Sequence, residues 1–276
     1  MIGNGPDLPA PGPLHRTALV TGGAGVLGHA VATQLARGGC RVAILDIGEG
    51  AEERAAALPG GIGFTCDVGD PAALGSAYAA VRAELGPPAV VVHCAGVAPI
   101  APFLEVDVAT FSEALDVNLT AGFTLYQLAA RELVAAGLAG RFITIASISG
   151  ARAGFGRTAY GTSKAAAIHL VKQIALELGP YGITANVVAP GPVDTPLSRG
   201  AHTAEMRADY VRTIPMARFG EAKEVANAVA YFASEDAAYV TGQTLFVDGG
   251  YMASGMGVTL AQSTAAVRRP KVRSSS

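Results

Sequence analysis

A serine, a tyrosine and a lysine in one short stretch are the residues whose types and spacing could do chemistry. Ser147, Tyr160 and Lys164 lie in SISGARAGFGRTAYGTSK, and the tyrosine and the lysine are four residues apart, which puts them on one face of a helix. A free phenol, with a pKa near 10, is a poor base at neutral pH. An ammonium at ~4 Å in an effective dielectric of ~20 would favour the phenolate by roughly 4 kcal/mol, which would make this phenol a working acid and base. A helix with a buried tyrosine and a surface lysine has the same spacing, so that this alternative stays open.

A glycine-rich turn stands where it could position a nucleotide for such chemistry. A short buried strand at 17–20 leads into TGGAGVLG, at 21–28, and then into a helix that ends near Arg37. The next strand, CRVAILD, ends at Asp46. Strand, glycine-rich turn, helix, strand and acid in this order indicate a mononucleotide-binding unit, whose glycines let the backbone approach a pyrophosphate at the helix N-terminus. A plain tight turn followed by a solvated aspartate is the alternative.

The charges around this unit predict NAD rather than NADP as the cofactor. A carboxylate about 18 residues after Gly28 would accept hydrogen bonds from a ribose diol and would repel a 2′-phosphate. No lysine or arginine lies within the glycine-rich turn or just after Asp46, and Arg41 is at the other end of the strand. A 2′-phosphate would therefore meet a carboxylate without a compensating cation.

Strands and helices continue to alternate along the chain, with a helix at 71–85 and a long helical stretch from about 108 that ends at Gly137. Near-continuous apolar runs in the strands indicate a parallel sheet covered on both faces. We therefore predict an α/β, doubly wound Rossmann fold with about seven strands, in one domain over 15–257. A flexible arm at 1–14 and a tail at 258–276, disordered at its end, flank it. Ligands bind at the carboxyl ends of such strands, where the sequence places Asp67, Ala95, Gly96, Ser147, Pro190 and Gly191.

An irregular polar segment at 192–216 follows one of these strand ends. A long excursion at such a position is typical of a substrate lid. His202 lies in the segment, and we expect a surface or substrate contact for it rather than a chemical role.

Composition excludes several classes of function. Half of the residues are apolar, 15% are charged and the net charge is -2, which gives no field for nucleic acid or an acidic membrane. The three cysteines are far apart and lack metal-type spacing, which predicts reduced thiols and no metal site. No apolar leader opens the chain and no long apolar run occurs, so that we expect a cytoplasmic protein without a membrane span.

Together these motifs resemble the short-chain dehydrogenase/reductase family, in its compact single-domain branch. The resemblance covers about residues 15–257. Besides the motifs above, it rests on CDV at 66–68, CAG at 94–96, Asn118, PGPVDT at 190–195 and VDGG at 247–250. It implies direct hydride transfer between a nicotinamide cofactor and a substrate carbon.

The resemblance implies a role for each matching residue. Tyr160 would be the acid and base, and Lys164 would lower its pKa and bind the nicotinamide ribose. Ser147 would hold the substrate oxygen, and Asn118 would anchor a water that links Lys164 to bulk solvent. The implied cofactor contacts are Gly22, Gly25, Leu27, Gly28, Asp46, Asp67, Val68, Ala95, Gly96, Tyr160, Lys164, Pro190, Gly191, Val193 and Thr195. The implied substrate pocket is Val97, Ser149, Ala151, Phe155 and Pro192, and Arg152 or Arg157 nearby could meet an acidic group or lie at the surface.

Two positions depart from the family pattern. The compact branch usually has glycine where this chain has Val26, and the spacing of Gly22, Gly25 and Gly28 is similar to that of the extended branch. We expect from this a local change in the pyrophosphate turn. Cys94 stands where the family usually has an asparagine that is thought to brace the sheet, which puts the rigidity of this turn in doubt.

These observations predict an NAD-dependent oxidoreductase that interconverts a secondary alcohol and its ketone. One alternative is a 3-oxoacyl-thioester reductase, against which Asp46 counts because such reductases commonly use NADPH. Another is a catalytically silent NAD(H)-binding sensor or scaffold, although such a protein would be expected to have lost Tyr160, Lys164 or Ser147. The resemblance also implies a homotetramer, or a homodimer, with the helix after Tyr160 at an interface.

Overall fold

Seven parallel strands form one sheet at the centre of the chain. The computed structural model describes residues 16–201 and 203–268. The strand order is β3-β2-β1-β4-β5-β6-β7, the order of a doubly wound Rossmann fold, which confirms the predicted fold class. The strands are β1 Thr17–Thr21, β2 Arg41–Asp46, β3 Ile62–Thr65, β4 Val90–His93, β5 Gly140–Ile145, β6 Ile183–Pro190 and β7 Thr244–Val247.

Helices cover both faces of this sheet. The α-helices are α1 Val26–Arg37, α2 Ala51–Ala56, α3 Pro71–Leu85, α4 Val108–Leu115, α5 Ala121–Ala136, α6 Thr158–Leu178, α7 Pro196–Ala201, α8 Ala204–Thr213, α9 Ala222–Ala233 and α10 Val258–Arg268. Helices α3, α5 and α6 contribute to the core on one face. Helices α1 and α9 contribute to the core on the other face. Because the central strands are buried on both faces, their side chains form near-continuous apolar runs.

Helices α5 and α9 bury large apolar side chains against opposite faces of the sheet. Tyr126 of α5 stacks on Phe142 of β5 with ring centroids 5.1 Å apart, and both are almost fully buried. Val229 and Phe232 of α9 fill the opposite face. Burial of side chains of this size contributes roughly 1.5–3 kcal/mol each to folding.

A cleft opens between β1 and β4 at the carboxyl edge of the sheet. Strand β1 pairs with β2 on one side and with β4 on the other. The connections after β1 and β4 therefore leave in opposite directions, which is the position where ligands bind in doubly wound sheets.

Two segments differ from the sequence-based expectation, and the tail is described only in part. The long helical stretch is divided by a π-helix, Asp116–Thr120, between α4 and α5. The segment at 192–216, expected to be irregular, contains α7 and α8, and the segment from 258 begins with α10. The arm at 1–14, His202 and residues 269–276 lie outside the described residues.

Candidate active site

The glycine-rich turn folds tightly against the end of β4. Gly22 has a φ of +66°, and a Cβ added to it would lie 2.8 Å from the backbone of Ala95. A Cβ on Gly28 would lie 2.1 Å from the carbonyl oxygen of Gly22. Gly25 caps α1 without a side-chain hydrogen bond, and no acidic residue lies in the first turn of this helix. The helix therefore presents backbone N–H groups that suit a pyrophosphate.

The carboxylate of Asp46 closes the same turn at the end of β2. One of its oxygens accepts a hydrogen bond from the backbone N–H of Ala24 at 2.9 Å. The other accepts one from the N–H of Gly48 at 3.1 Å. Ile47, the next residue, leaves 69% of its surface exposed beside the cavity. A carboxylate and an exposed apolar side chain at this end suit the ribose and the base of an adenosine.

Thr21 and His93 join the ends of β1 and β4. The Thr21 hydroxyl oxygen accepts hydrogen bonds from the backbone N–H groups of Cys94 and Ala95, both at 3.1 Å. It lies 3.0 Å from His93 Nδ1, and His93 Nε2 lies 3.0 Å from the carbonyl oxygen of Val117. The Thr21 hydroxyl accepts from two N–H groups and donates its own proton to His93 Nδ1. The ring proton is therefore assigned to Nε2, which donates to the carbonyl oxygen of Val117.

This network holds the turn at Cys94, where the resemblance implies an asparagine. Burial and, to a lesser extent, the charge of Lys164 lower the pKa of His93 to about 3. The imidazole is therefore neutral at pH 7 and keeps both hydrogen bonds. Thr21 and His93 therefore hold this turn through hydrogen bonds, and the effect of Cys94 on its rigidity stays a prediction.

Tyr160 and Lys164 occupy successive turns of α6 and face the ends of β4 and β5. Lys164 Nζ donates a hydrogen bond to the carbonyl oxygen of Ile145 at 2.8 Å and lies 5.9 Å from the centroid of the Tyr160 ring. The Ser147 hydroxyl, one residue beyond Ala146, accepts a hydrogen bond from the N–H of Ser149 at 3.1 Å. The helical spacing therefore brings the tyrosine and the lysine to one face, as predicted.

The ionisation of this group differs from the expectation based on spacing. Burial raises the pKa of Tyr160, and a hydrogen bond with Ser147 and the charge of Arg157 offset only part of that rise. Burial also lowers the pKa of Lys164 to about 8. In the protein alone, desolvation of the phenolate therefore outweighs the nearby charges, and the lowering of the Tyr160 pKa by Lys164 stays a prediction.

Asn118 holds the loop after β4 against α6. Its side-chain oxygen accepts from the N–H of Val97, and its amide donates to the carbonyl oxygen of Val97 and to the Ser163 hydroxyl, each at 2.9 Å. The side chain is fully buried. A Cβ on Gly96 would lie 2.8 Å from this oxygen and 3.3 Å from Lys164 Nζ. Asn118 therefore positions the loop beside Lys164, and its role in anchoring a water stays a prediction.

One cavity of about 980 Å³ brings most of the predicted residues together. Asn118 lies behind its wall rather than in it. Ala151 and Phe155 do not line it, because the chain turns outward after the short 3₁₀ helix Ile148–Gly150 and leaves Phe155 with 89% of its surface exposed. The predicted residues that do line it are Gly22, Gly25, Leu27, Gly28, Asp46, Asp67, Val68, Ala95, Gly96, Val97, Ser147, Ser149, Tyr160, Lys164, Pro190, Gly191, Pro192, Val193 and Thr195.

Sequence reasoning missed several cavity residues. Ile47 could have been found as an apolar residue directly after the acid of the nucleotide-binding unit. Tyr210, the one aromatic side chain of α8, could have been found as an aromatic within a charged segment. The wall built from α4 and the π-helix carries no local signal, because only the tertiary fold brings it to the cleft. Its residues are Ala109, Ser112, Glu113, Asp116 and Val117.

Ion pairs fix the base of the segment that carries Tyr210. Asp194 accepts hydrogen bonds from Arg199 at 2.9 Å and from Arg207 at 3.0 Å, and these guanidinium groups lower the pKa of Asp194 to about 2. Gln262 of α10 donates to the carbonyl oxygen of Ile214 at 2.8 Å. Helices α7 and α8 are thereby held over the cavity from both ends.

The described part of the chain contains no group of three or more histidine, cysteine or acidic residues that could hold a metal ion. None of its helices has the length and apolarity that crossing a membrane requires.

Comparison with known proteins identifies relatives over most of the chain. A family model described as Enoyl-(Acyl carrier protein) reductase matches residues 22–252. The 3-oxoacyl-(acyl-carrier-protein) reductase MabA of Mycobacterium avium is 39% identical over 245 residues, which are 88% of this chain and 92% of the relative. The cis-4-hydroxycyclohexanecarboxylate dehydrogenase of Sinomonas cyclohexanicum is 37% identical over 86% of this chain and 97% of its own. A solved short-chain type dehydrogenase/reductase from Mycobacterium ulcerans superposes with a TM-score of 0.81 at 34% identity, covering 90% of this chain and 94% of its own.

Proposed function

Because the chain belongs to the short-chain dehydrogenase/reductase family, we propose that it is an NAD-dependent dehydrogenase that interconverts a secondary alcohol and its ketone. One observation carries the proposal: a single cavity has Asp46 at one end and Ser147, Tyr160 and Lys164 at the other. The first suits an adenosine ribose without a 2′-phosphate, and the second suits a hydroxyl or carbonyl that exchanges a proton.

The nicotinamide ring supplies or accepts the hydride when it is bound. The protein's own groups handle the proton and the orientation. Tyr160 gives its proton to the carbonyl oxygen in reduction and takes it from the hydroxyl in oxidation. The Ser147 hydroxyl holds the same oxygen. Lys164, fixed by Ile145, binds the nicotinamide ribose and favours the Tyr160 phenolate electrostatically.

The cofactor preference rests on the charges that line the cavity. Near the glycine-rich turn the described lining residues include Asp46 and Asp67 and no lysine or arginine. A 2′-phosphate would meet these carboxylates without a cation to balance it. The backbone of Ala24 already occupies one oxygen of Asp46, which orients the carboxylate toward the ribose position.

A second candidate is reduction of 3-oxoacyl thioesters. The name of the Mycobacterium avium relative favours it. The name of the Sinomonas relative, a dehydrogenase of a cyclic hydroxy acid, favours the alcohol reaction instead. A silent NAD(H)-binding sensor is the third candidate, and the presence of Ser147, Tyr160 and Lys164 in one cavity counts against it.

For the assembled state we propose a homotetramer or a homodimer in the cytoplasm. Leu176 on α6 and Leu245 on β7 leave 76% and 41% of their surface exposed. Both lie in segments for which the family resemblance implies subunit contacts, and contact with a second copy would remove this apolar surface from water.

The test is an initial-rate panel with NAD and NADP against secondary alcohols, cyclic alcohols, polyols and 3-hydroxyacyl thioesters. We expect turnover with NAD and one class of alcohol. Tyr160→Phe should lower kcat by about 10²- to 10⁴-fold while the Kd for NADH stays the same. Tyr239→Phe is the matched control, because Tyr239 is fully exposed. Preference for NADP would contradict the role of Asp46, and a parallel loss of NADH binding and activity in Tyr160→Phe would contradict the role of Tyr160.

A further inference from the structure

We propose that Arg157 binds a carboxylate of the substrate, so that the enzyme acts on a hydroxy acid and the corresponding oxo acid. This inference rests on the proposed function and narrows its substrate class. Sequence alone left open whether Arg152 or Arg157 meets an acidic group or lies at the surface. The structure separates them, because Arg157 lines the cavity and Arg152 is not among its lining residues.

The backbone of Arg157 is fixed directly in front of α6. Residue 157 forms an isolated parallel bridge with Ala101, whose N–H donates to the carbonyl oxygen of Gly156 at 3.1 Å. The Arg157 carbonyl oxygen accepts from the N–H of Gly161 at 2.6 Å. The side chain therefore starts from a defined point three residues before Tyr160.

The guanidinium reaches the place where a substrate would react. Its carbon lies 5.6 Å from the centroid of the Tyr160 ring. Its charge offsets part of the rise that burial causes in the pKa of Tyr160 and of Tyr210, which also lines the cavity. An acidic group that binds there would be only a few carbon atoms from the carbon whose oxygen exchanges a proton with Tyr160.

The surroundings suit an anion of this kind. Lys164, the other basic residue among the described lining residues, is buried and donates to Ile145. The same cavity is also lined by Ser149 and Tyr210, whose hydroxyl groups can donate to a carboxylate. A guanidinium binds a carboxylate through two parallel N–H···O bonds, a geometry that an amide or a hydroxyl does not provide.

The acidic side of the cavity lies elsewhere. A Cβ on Gly69, two residues after Asp67, would lie 3.4 Å from the Val117 side chain. This contact sets the π-helix residues Asp116 and Val117 beside Asp67, on the adenosine side of the cleft. An anionic substrate group near Arg157 would therefore lie away from Asp67 and Asp116. A 3-oxoacyl thioester has no ionised group next to its reacting carbonyl and would offer this arginine no carboxylate to bind.

The test compares oxo acids of increasing length, open-chain and cyclic, each with its own methyl ester. For the preferred acid we expect wild-type kcat/KM to exceed that of the ester by about 10- to 100-fold, the range for loss of a hydrogen-bonded ion pair. In Arg157→Gln this ratio should fall close to one. Because acid and ester use the same Tyr160, any effect of Arg157 on the phenol cancels in the ratio.

Arg152→Gln is the matched control. The Arg152 guanidinium lies 5.1 Å from the Tyr251 ring, and the residue is exposed, so that the acid-to-ester ratio should stay at the wild-type value. A second readout is calorimetric binding of a carboxylate that cannot be reduced, such as cyclohexanecarboxylate, to the protein saturated with NADH. Its Kd should rise by about tenfold or more in Arg157→Gln and stay unchanged in Arg152→Gln.

Different failures are distinguishable. If neutral ketones or esters turn over as well as the acids, or if the ratio survives in Arg157→Gln, the carboxylate inference is overturned and the proposed function stands. If 3-oxoacyl thioesters are the preferred substrates, the inference is overturned in favour of the second candidate. If nothing turns over while NADH binds, both the inference and the proposed function are overturned.

Discussion

Substituting Gly28 by alanine tests whether the glycine-rich turn is the cofactor site. The added Cβ would lie 2.1 Å from the Gly22 carbonyl oxygen, whereas Cβ contacts below 3.0 Å essentially never occur. The turn must therefore open by the difference, about 0.9 Å, and both residues belong to the segment that would bind the pyrophosphate. Loss of one N–H hydrogen bond to a charged pyrophosphate costs about 1.5–3 kcal/mol, so that we expect the Kd for NADH to rise by about 10- to 100-fold.

The assay is titration of the variant with NADH, followed by the fluorescence of the nicotinamide or by calorimetry. The matched control is Gly75→Ala in the middle of α3, where an added Cβ meets nothing within 4 Å. That control should bind NADH like the wild type and gain roughly 0.5–1 kcal/mol of stability, because alanine is the better helix former. Circular dichroism establishes that both variants are folded. A folded Gly28→Ala with wild-type affinity for NADH would refute the placement of the cofactor at this turn.

Two further predictions concern the groups behind the cavity. In Thr21→Val the backbone N–H groups of Cys94 and Ala95 lose their hydrogen-bond acceptor. We expect the free energy of unfolding to fall by about 1–3 kcal/mol for each N–H left unsatisfied. The measurement is urea unfolding, with Thr65→Val at an exposed strand end as the control, and an unchanged midpoint would contradict the bracing role. For Lys164, burial lowers the pKa in the folded state to about 8, from 10.5. Above pH 8 the unfolded chain therefore binds more protons than the folded protein. The free energy of unfolding then rises with pH until the lysine of the unfolded chain also titrates. This rise should reach roughly 3 kcal/mol and should be missing in Lys164→Met; equal pH profiles of the two proteins between pH 7 and 10.5 would show that the ammonium is not destabilised by burial.

The nucleotide-binding half of the fold could be predicted because its signals are local. Glycines, an acid at a strand end and apolar strands follow one another within 30 residues, and each needs only its neighbours to be interpreted. The spacing of Tyr160 and Lys164 is of the same kind, because the helix alone brings them to one face.

The parts that sequence reasoning missed depend on contacts between distant segments. Burial raises the pKa of Tyr160, and Tyr210, far along the chain, raises it as well. No spacing within 147–164 contains that information. Phe155 was expected in the pocket because its position matches a pocket position of the family, but a loop side chain takes its direction from the turn that carries it. Helix α8 buries none of its residues, and without an apolar period its helical state has no sequence signal.

Because of the π-helix at Asp116–Thr120, the site depends on the number of residues between α4 and α5. An α-helix turns by about 100° per residue, and a π-helix absorbs one extra residue without ending the helical rod. The rod before it packs on α6, and the rod after it sets Leu125 and Tyr126 into the core beneath the sheet. Asn118 lies at the join, where its side chain meets Val97 and Ser163.

Without the extra residue, α5 would be rotated relative to α4 by the turn of one residue. Either Asn118 would leave the loop beside Lys164, or the core face of α5 would rotate away from the sheet. A deletion of one residue anywhere in 116–120 would therefore disturb either the proton-handling site or the core, whichever side chain is removed. The π-helix therefore sets the rotation of α4, which serves the site, relative to α5, which serves the core.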